Sequence, residues 1–218
     1  MEKPHAQPAR DKTGIFVKSA VVILALAGLG AGISVPFFFE SQSMYYKFGL
    51  DKALLQWGKA AGLAAAVLMV YQIVFVSRFR VLETRLTRKR LWAVHKTCGK
   101  LIALLVTLHP VLILGSDGFA FFPLEKRYWP EFSGIFLWVL ILGIVGVSVF
   151  QNKLPLSYRT WRALHRAGVL VAVCLVFLHA GFVSESFNSG FPKAGLFLAA
   201  GISGVLFIRI YVKRLLNK

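Results

Sequence analysis

The sequence predicts an all-α integral membrane protein, a six-transmembrane-helix bundle with both the N- and C-termini cytoplasmic. Three observations carry this expectation. Of 218 residues, 57% are hydrophobic and the mean hydropathy is +0.66, above the roughly 45–50% apolar content of soluble domains. Six apolar segments each approach the ~20 residues needed to cross ~30 Å of hydrocarbon. Charge is sparse and one-sided, with 26 Lys+Arg against 9 Asp+Glu, as expected when basic residues collect in cytoplasmic loops.

The spans are expected at 15–37, 53–76, 94–114, 132–150, 164–183 and 194–212. Polar, charged or turn-forming stretches separate them: "FESQSMYYKFGLDK", "SRFRVLETRLTRKR", "GSDGFAFFPLEKRYWPE", "QNKLPLSYRTWR" and "SESFNSGFPK". No internal repeat and no linker to a second domain interrupts them. The expected organisation is a cytoplasmic tail at 1–14, one bundle over 15–212 and a second cytoplasmic tail at 213–218. "GLGAGIS" offers small residues for signal-peptide cleavage in the first span. The long polar tail before it, its full length and the even number of spans favour a retained helix.

Orientation follows the basic residues. With the N-terminus inside, 20 of the 26 Lys+Arg fall on the cytoplasmic side. They include the run from Arg78 to Lys100 and the group from Lys153 to Arg166. Lys47, Lys52, Lys59, Lys126, Arg127 and Lys193 fall outside or near the outer boundary. The net charge of +17 is thus accounted for by a lipid bilayer as partner, and no nucleic acid is expected. Cys98 and Cys174 lie in apolar runs, and the absence of CxxC and CxxCH argues against a zinc ribbon and covalent c-type haem.

The chemistry lies in four histidines. His5 sits in the polar tail, but His95 and His109 lie on the third span and His165 and His179 on the fifth, each pair 14 residues apart. Fourteen residues bring the second side chain back to within about 40° of the first, about 21 Å along the helix axis. The two spans run in the same direction, so if they pack face to face His95 is level with His165 and His109 with His179. Two bis-imidazole sites result, one near each membrane face. Neutral imidazole is a common axial ligand of haem iron, and bundles build cofactor sites from facing helices. The candidate metal ligands are therefore His95 and His165 for an inner haem, and His109 and His179 for an outer one.

Around the inner pair stand Lys96, Lys100, Arg159, Arg162 and Arg166. Arg162, Arg166 and Lys96 are candidate contacts of the haem propionates, because cationic side chains suit carboxylates. The same residues also satisfy the cytoplasmic charge bias. Trp92 and Trp161 either flank the inner haem or belong to an interfacial belt. Gly99 and Gly168, one turn beyond His95 and His165, are candidates for making room for the porphyrin. The loop "GSDGFAFFPLEKRYWPE" either caps the outer site or is an ordinary interfacial loop. A His-lined metal-ion or proton transporter is the competing class; ion pathways usually carry intramembrane carboxylates, and the span interiors lack Asp and Glu.

"YRTWRALHRAGVLVAVCLVFLHA" and "RLWAVHKTCGKLIALLVTLHP" resemble the fifth and third helices of the ferric reductase-like transmembrane domain superfamily. Its members include ferric reductases, the membrane part of NADPH oxidases and the haem-binding membrane subunit of the methionine sulfoxide reductase system. The resemblance spans about 55–212, and its specific part is W-x-x-x-H-R at Trp161–Arg166 with the paired histidines. It implies two stacked b-type haems with the ligands named above, and an oxidoreductase component in which no residue of this chain is singled out as catalytic. It also implies electron transfer from a cytoplasmic donor to an extracytoplasmic acceptor such as ferric iron, oxygen or a partner protein. No GxGxxG links a strand to a helix before Lys218. The expected donor is therefore a separate flavoprotein, a reductase subunit or a quinol, and the expected location a bacterial inner membrane. A role as the methionine sulfoxide reductase-type subunit is the alternative. "RLWAVHKTCGK" departs from that subunit's arginine-rich opening and carries two histidines on the helix.

Overall fold

The computed structural model describes residues 12–77, 87–120 and 125–215. Much of the N-terminal tail, the last residues of the C-terminal tail and the first part of the basic stretch after the second span lie outside them. Six long helices follow one another: α1 (Lys12–Phe38), α2 (Gly49–Val76), α3 (Arg88–Gly115), α4 (Trp129–Val149), α5 (Tyr158–Val183) and α6 (Gly190–Leu215). A four-residue helical turn, Gln42–Tyr45, and 3-10 turns at Lys126–Tyr128, Gln151–Lys153 and Glu185–Phe187 lie between them. No strand occurs among the described residues. All six helices are long and apolar enough to cross a membrane, and the chain is an integral membrane protein.

The helices start before the apolar runs do. α3 opens at Arg88 and α5 at Tyr158, six residues ahead of the expected spans at 94 and 164. Their first turns are polar yet satisfied. Thr87 Oγ1 accepts a hydrogen bond from Arg90 N (3.4 Å), and Ser157 Oγ accepts one from Thr160 N (3.1 Å). Such caps use donors that the helix start leaves free. Hydropathy marks only the lipid-embedded part of each helix; the caps set where it begins.

α2 packs most extensively against α3 and also holds α1, while α4 packs against α5. The run "AAGLAAA" explains the role of α2. Ala60, Ala61, Ala64 and Ala65 are buried, and small residues let membrane helices approach closely where lipid removes the hydrophobic drive. Tyr71 OH donates to Ala25 O of α1 at 2.8 Å. Gly28 makes room for it, because a Cβ there would stand 2.3 Å from the hydroxyl. The outward faces are apolar, as with Leu24 and Phe197, and suit lipid contact.

α3 and α5 are not among the closely packed helix pairs. They face one another across a space instead of packing face to face, and each is held from behind by α2 or α4. The buried core crosses the bundle at mid-depth through Leu68 and Met69 of α2, Ile102 of α3, Leu137 and Ile141 of α4, Ala172 and Val173 of α5 and Leu206 of α6. Ile102 lies midway between His95 and His109, and Ala172 midway between His165 and His179. Seven residues are close to two helical turns, so these side chains share the histidine-bearing faces and form an apolar layer between the two pairs.

At the His109–His179 end, polar contacts lace the connecting loops. Lys47 pairs with Asp117 and donates to Ser116 O. Glu185 Oε2 accepts from Gln42 N at 2.8 Å, and Ser186 Oγ donates to Phe39 O at 2.7 Å. Asp117 belongs to the long aromatic-rich loop, whose residues 121–124 lie outside the described ones.

Candidate cofactor site

The two histidine pairs form as the spacing predicts. The ring centroids of His95 and His165 lie 6.4 Å apart, and those of His109 and His179 lie 6.3 Å apart. Two imidazoles binding one metal from opposite sides, with metal–nitrogen bonds of about 2 Å and about 1.1 Å from nitrogen to ring centre, would have centroids about 6.2 Å apart. Both pairs therefore have the spacing of opposed axial ligands. Among the described residues, no group of three or more His, Cys, Asp or Glu converges on a common point. A pair without a third side-chain ligand suits a metal that brings its own in-plane ligands, as haem iron does.

The His109–His179 pair is fixed by one device used twice. His109 Nδ1 bonds Gly58 O of α2 at 2.8 Å, and His179 Nδ1 bonds Pro130 O at the start of α4 at 3.0 Å. Each Nδ1 donates to its carbonyl, which leaves Nε2 free to bind a metal. A helical carbonyl points along the axis toward residue i+4, so a ring that reaches it must pass over that residue. Position i+4 is glycine in both cases, Gly62 and Gly134. A Cβ on Gly62 would stand 2.8 Å from His109 Nδ1, and one on Gly134 would stand 2.5 Å from His179 Cε1.

The His95–His165 pair is held differently. Ser148 Oγ donates to Ile144 O at 2.7 Å and lies 3.1 Å from His165 Nδ1. With its own proton engaged, the hydroxyl accepts from the ring. Gln72 Nε2 donates to His95 O at 2.8 Å and so fastens this turn of α3 to α2. Trp161 lies 5.6 Å from the His165 ring at 34°, and Trp92 lies 6.0 Å from the His95 ring at 72°. Both tryptophans flank the pair.

The remaining expected residues divide. Lys96 and Arg162 are exposed, and the Arg162 guanidinium sits over the Tyr158 ring at 5.6 Å. Arg166 is half-buried and within electrostatic reach of His165. Gly99 and Gly168 border neighbouring helices. A Cβ on Gly99 would meet Gln72 Nε2 at 3.5 Å, and one on Gly168 would meet Ile144 of α4 at 3.0 Å. Gly168 serves the packing of α5 on α4. The glycines that admit the imidazoles lie on α2 and α4.

Sequence reasoning also passed over Lys59. It follows Gly58 directly, is partly buried, donates to Ser41 Oγ at 2.6 Å and lies within electrostatic reach of His109. A basic residue within an apolar run at this end was the available signal.

Comparison with known proteins gives one match. The family model described as "ferric reductase like transmembrane component" matches residues 61–176, just over half of the chain. It takes in His95, His109 and His165 and stops three residues before His179. No curated protein and no solved structure matches.

Proposed function

Because the chain belongs to the ferric reductase like transmembrane component family, we propose that it conducts electrons across the membrane with two b-type haems, one held by His95 and His165 and the other by His109 and His179. The observation that supports this most is the repetition of one ring separation at two depths, 6.4 Å and 6.3 Å. When bound, the haems supply reversible one-electron chemistry.

The chain's own residues set the conditions for that chemistry. The Nδ1 bonds to Gly58 O, Pro130 O and Ser148 Oγ hold three of the four rings in one tautomer and one orientation. Ile102 and Ala172 place a dry apolar layer between the two levels, which keeps water out and the dielectric low. Two imidazoles per site would occupy the positions through which an acceptor could bind the metal. An acceptor would therefore be reduced at the exposed edge of the outer site, without binding there as a ligand.

The basic residues orient the chain with the His95–His165 end in the cytoplasm. There Arg88, Lys89, Arg90, Arg159 and Arg162 stand exposed and attract the acidic face of a separate flavoprotein or reductase that acts as donor. Arg166, Arg162 and Lys96 would pair with the inner haem's carboxylates, and Lys59 places positive charge near His109. The acceptor lies on the outer side and is ferric iron, oxygen or a partner protein.

Sealed vesicles test the conduit. With ferricyanide trapped inside and dithionite outside, haem-loaded protein is expected to bleach the ferricyanide, and His109→Ala to stop the bleaching. Equal bleaching by vesicles with His109→Ala protein would contradict the proposal.

A further inference from the structure

Trp161 carries a polar atom that the fold leaves without a partner. Its indole Nε1 is shielded from solvent and bonds no acceptor of the chain. Indole nitrogen donates only, and a buried tryptophan N–H usually finds an acceptor. Leaving it unpaired destabilises the folded chain.

The ring's position is fixed from two sides. It lies 5.3 Å from Tyr158 at 36° and 5.6 Å from His165 at 34°. Trp161 and His165 are four residues apart and share one face of α5. His165 in turn stands 6.4 Å from His95 across the space between α3 and α5. The ring therefore stands beside that space, one turn toward the start of α5. The neighbouring turns carry Arg162 and Arg166, so an anionic acceptor is favoured there over a neutral one.

We propose that the Trp161 N–H is a carboxylate-binding donor, which bonds a propionate of the group held by His95 and His165. This rests on the inner-haem reading above. It assigns Trp161 a polar contact in addition to the stacking role that its neighbours reveal. The rival is a bound water that accepts the Nε1 proton.

The test compares Trp161→Phe, which keeps an aromatic ring and deletes the N–H, with wild type. Both are made in a His109→Ala background that retains the inner haem alone. Haem transfer to apomyoglobin is expected to speed up about tenfold or more, the loss expected when a hydrogen bond to a charged group is removed. The propionate-bending band in the resonance Raman spectrum is expected to shift. In the haem-free protein the same change removes an unsatisfied donor, so the thermal midpoint holds or rises. Unchanged transfer and an unshifted band, as the water or a packing role predicts, overturn the proposal. If the variant loads no haem, a lowered midpoint of the apoprotein overturns it and an equal or higher one supports it. Full-length wild-type protein that binds no haem overturns the electron-conduit reading and this inference with it. Wild-type protein with both haems beside an unaltered Trp161→Phe overturns this inference alone.

Discussion

His109 rests on Gly62: a β-carbon at position 62 would stand 2.8 Å from the ring's Nδ1, the atom that bonds Gly58 O one helical turn away. The same arrangement recurs where His179 rests on Gly134 beneath Pro130 O. Gly62→Ala and Gly134→Ala should each push an imidazole off its carbonyl, at a cost of about 1–3 kcal/mol from overpacking. Each variant is expected to lose the outer haem and keep the inner one. Pyridine haemochrome assays should fall from two haems per chain toward one.

Ser148 Oγ lies 3.1 Å from His165 Nδ1. Ser148→Ala leaves His165 Nδ1 without its acceptor. Loss of an outer-sphere partner of this kind typically weakens metal binding about 10–100-fold. The imidazole also becomes a poorer electron donor, so the inner midpoint potential should rise while the outer one stays put. A spectroelectrochemical titration resolves the two.

Ile102 is buried at the level midway between the pairs. Ile102→Ala opens a void but touches no ligand. In lipid the loss is mainly one of packing, so a cost near the low end for such truncations, about 2 kcal/mol, is expected. The thermal midpoint should fall while the haem count remains two per chain. Loss of one haem would mean that the layer positions a ligand directly.

Lys59 places a positive charge near His109, while the Glu131 carboxylate acts on His179. Lys59→Met removes a cation that favours the reduced, less positive state of a neighbouring metal. At an effective dielectric of ~20 and a separation of ~10 Å, this amounts to about 1–2 kcal/mol. The outer midpoint potential should fall by the corresponding amount, with the inner potential and the haem content unchanged.

Much of this was legible in the sequence because it depends on period and length. The apolar runs reveal six spans, and the two gaps of 14 place four imidazoles on two facing stripes at two depths. What the sequence concealed depends on contacts between helices. Gly99 and Gly168 sit on the same helices as the histidines and drew attention for that reason, yet they face Gln72 and Ile144. Gly62 and Gly134, the glycines that seat the rings, lie on other helices, and spacing along one helix does not show what a partner helix presents. Ser148 reaches His165 from α4, a contact that spacing along α4 alone does not reveal. The polar first turns of α3 and α5 escaped hydropathy because their caps, not their side-chain polarity, decide where the helices begin.

The most direct test of the central claim is the optical spectrum of the purified protein before and after dithionite, with haem and protein quantified in the same sample. Two b-type haems per chain, both reducible, with one lost in His109→Ala or His179→Ala and the other retained, are the predicted result. A protein with no Soret band, or one that keeps both haems when His109 or His179 is replaced, would contradict the paired-histidine account.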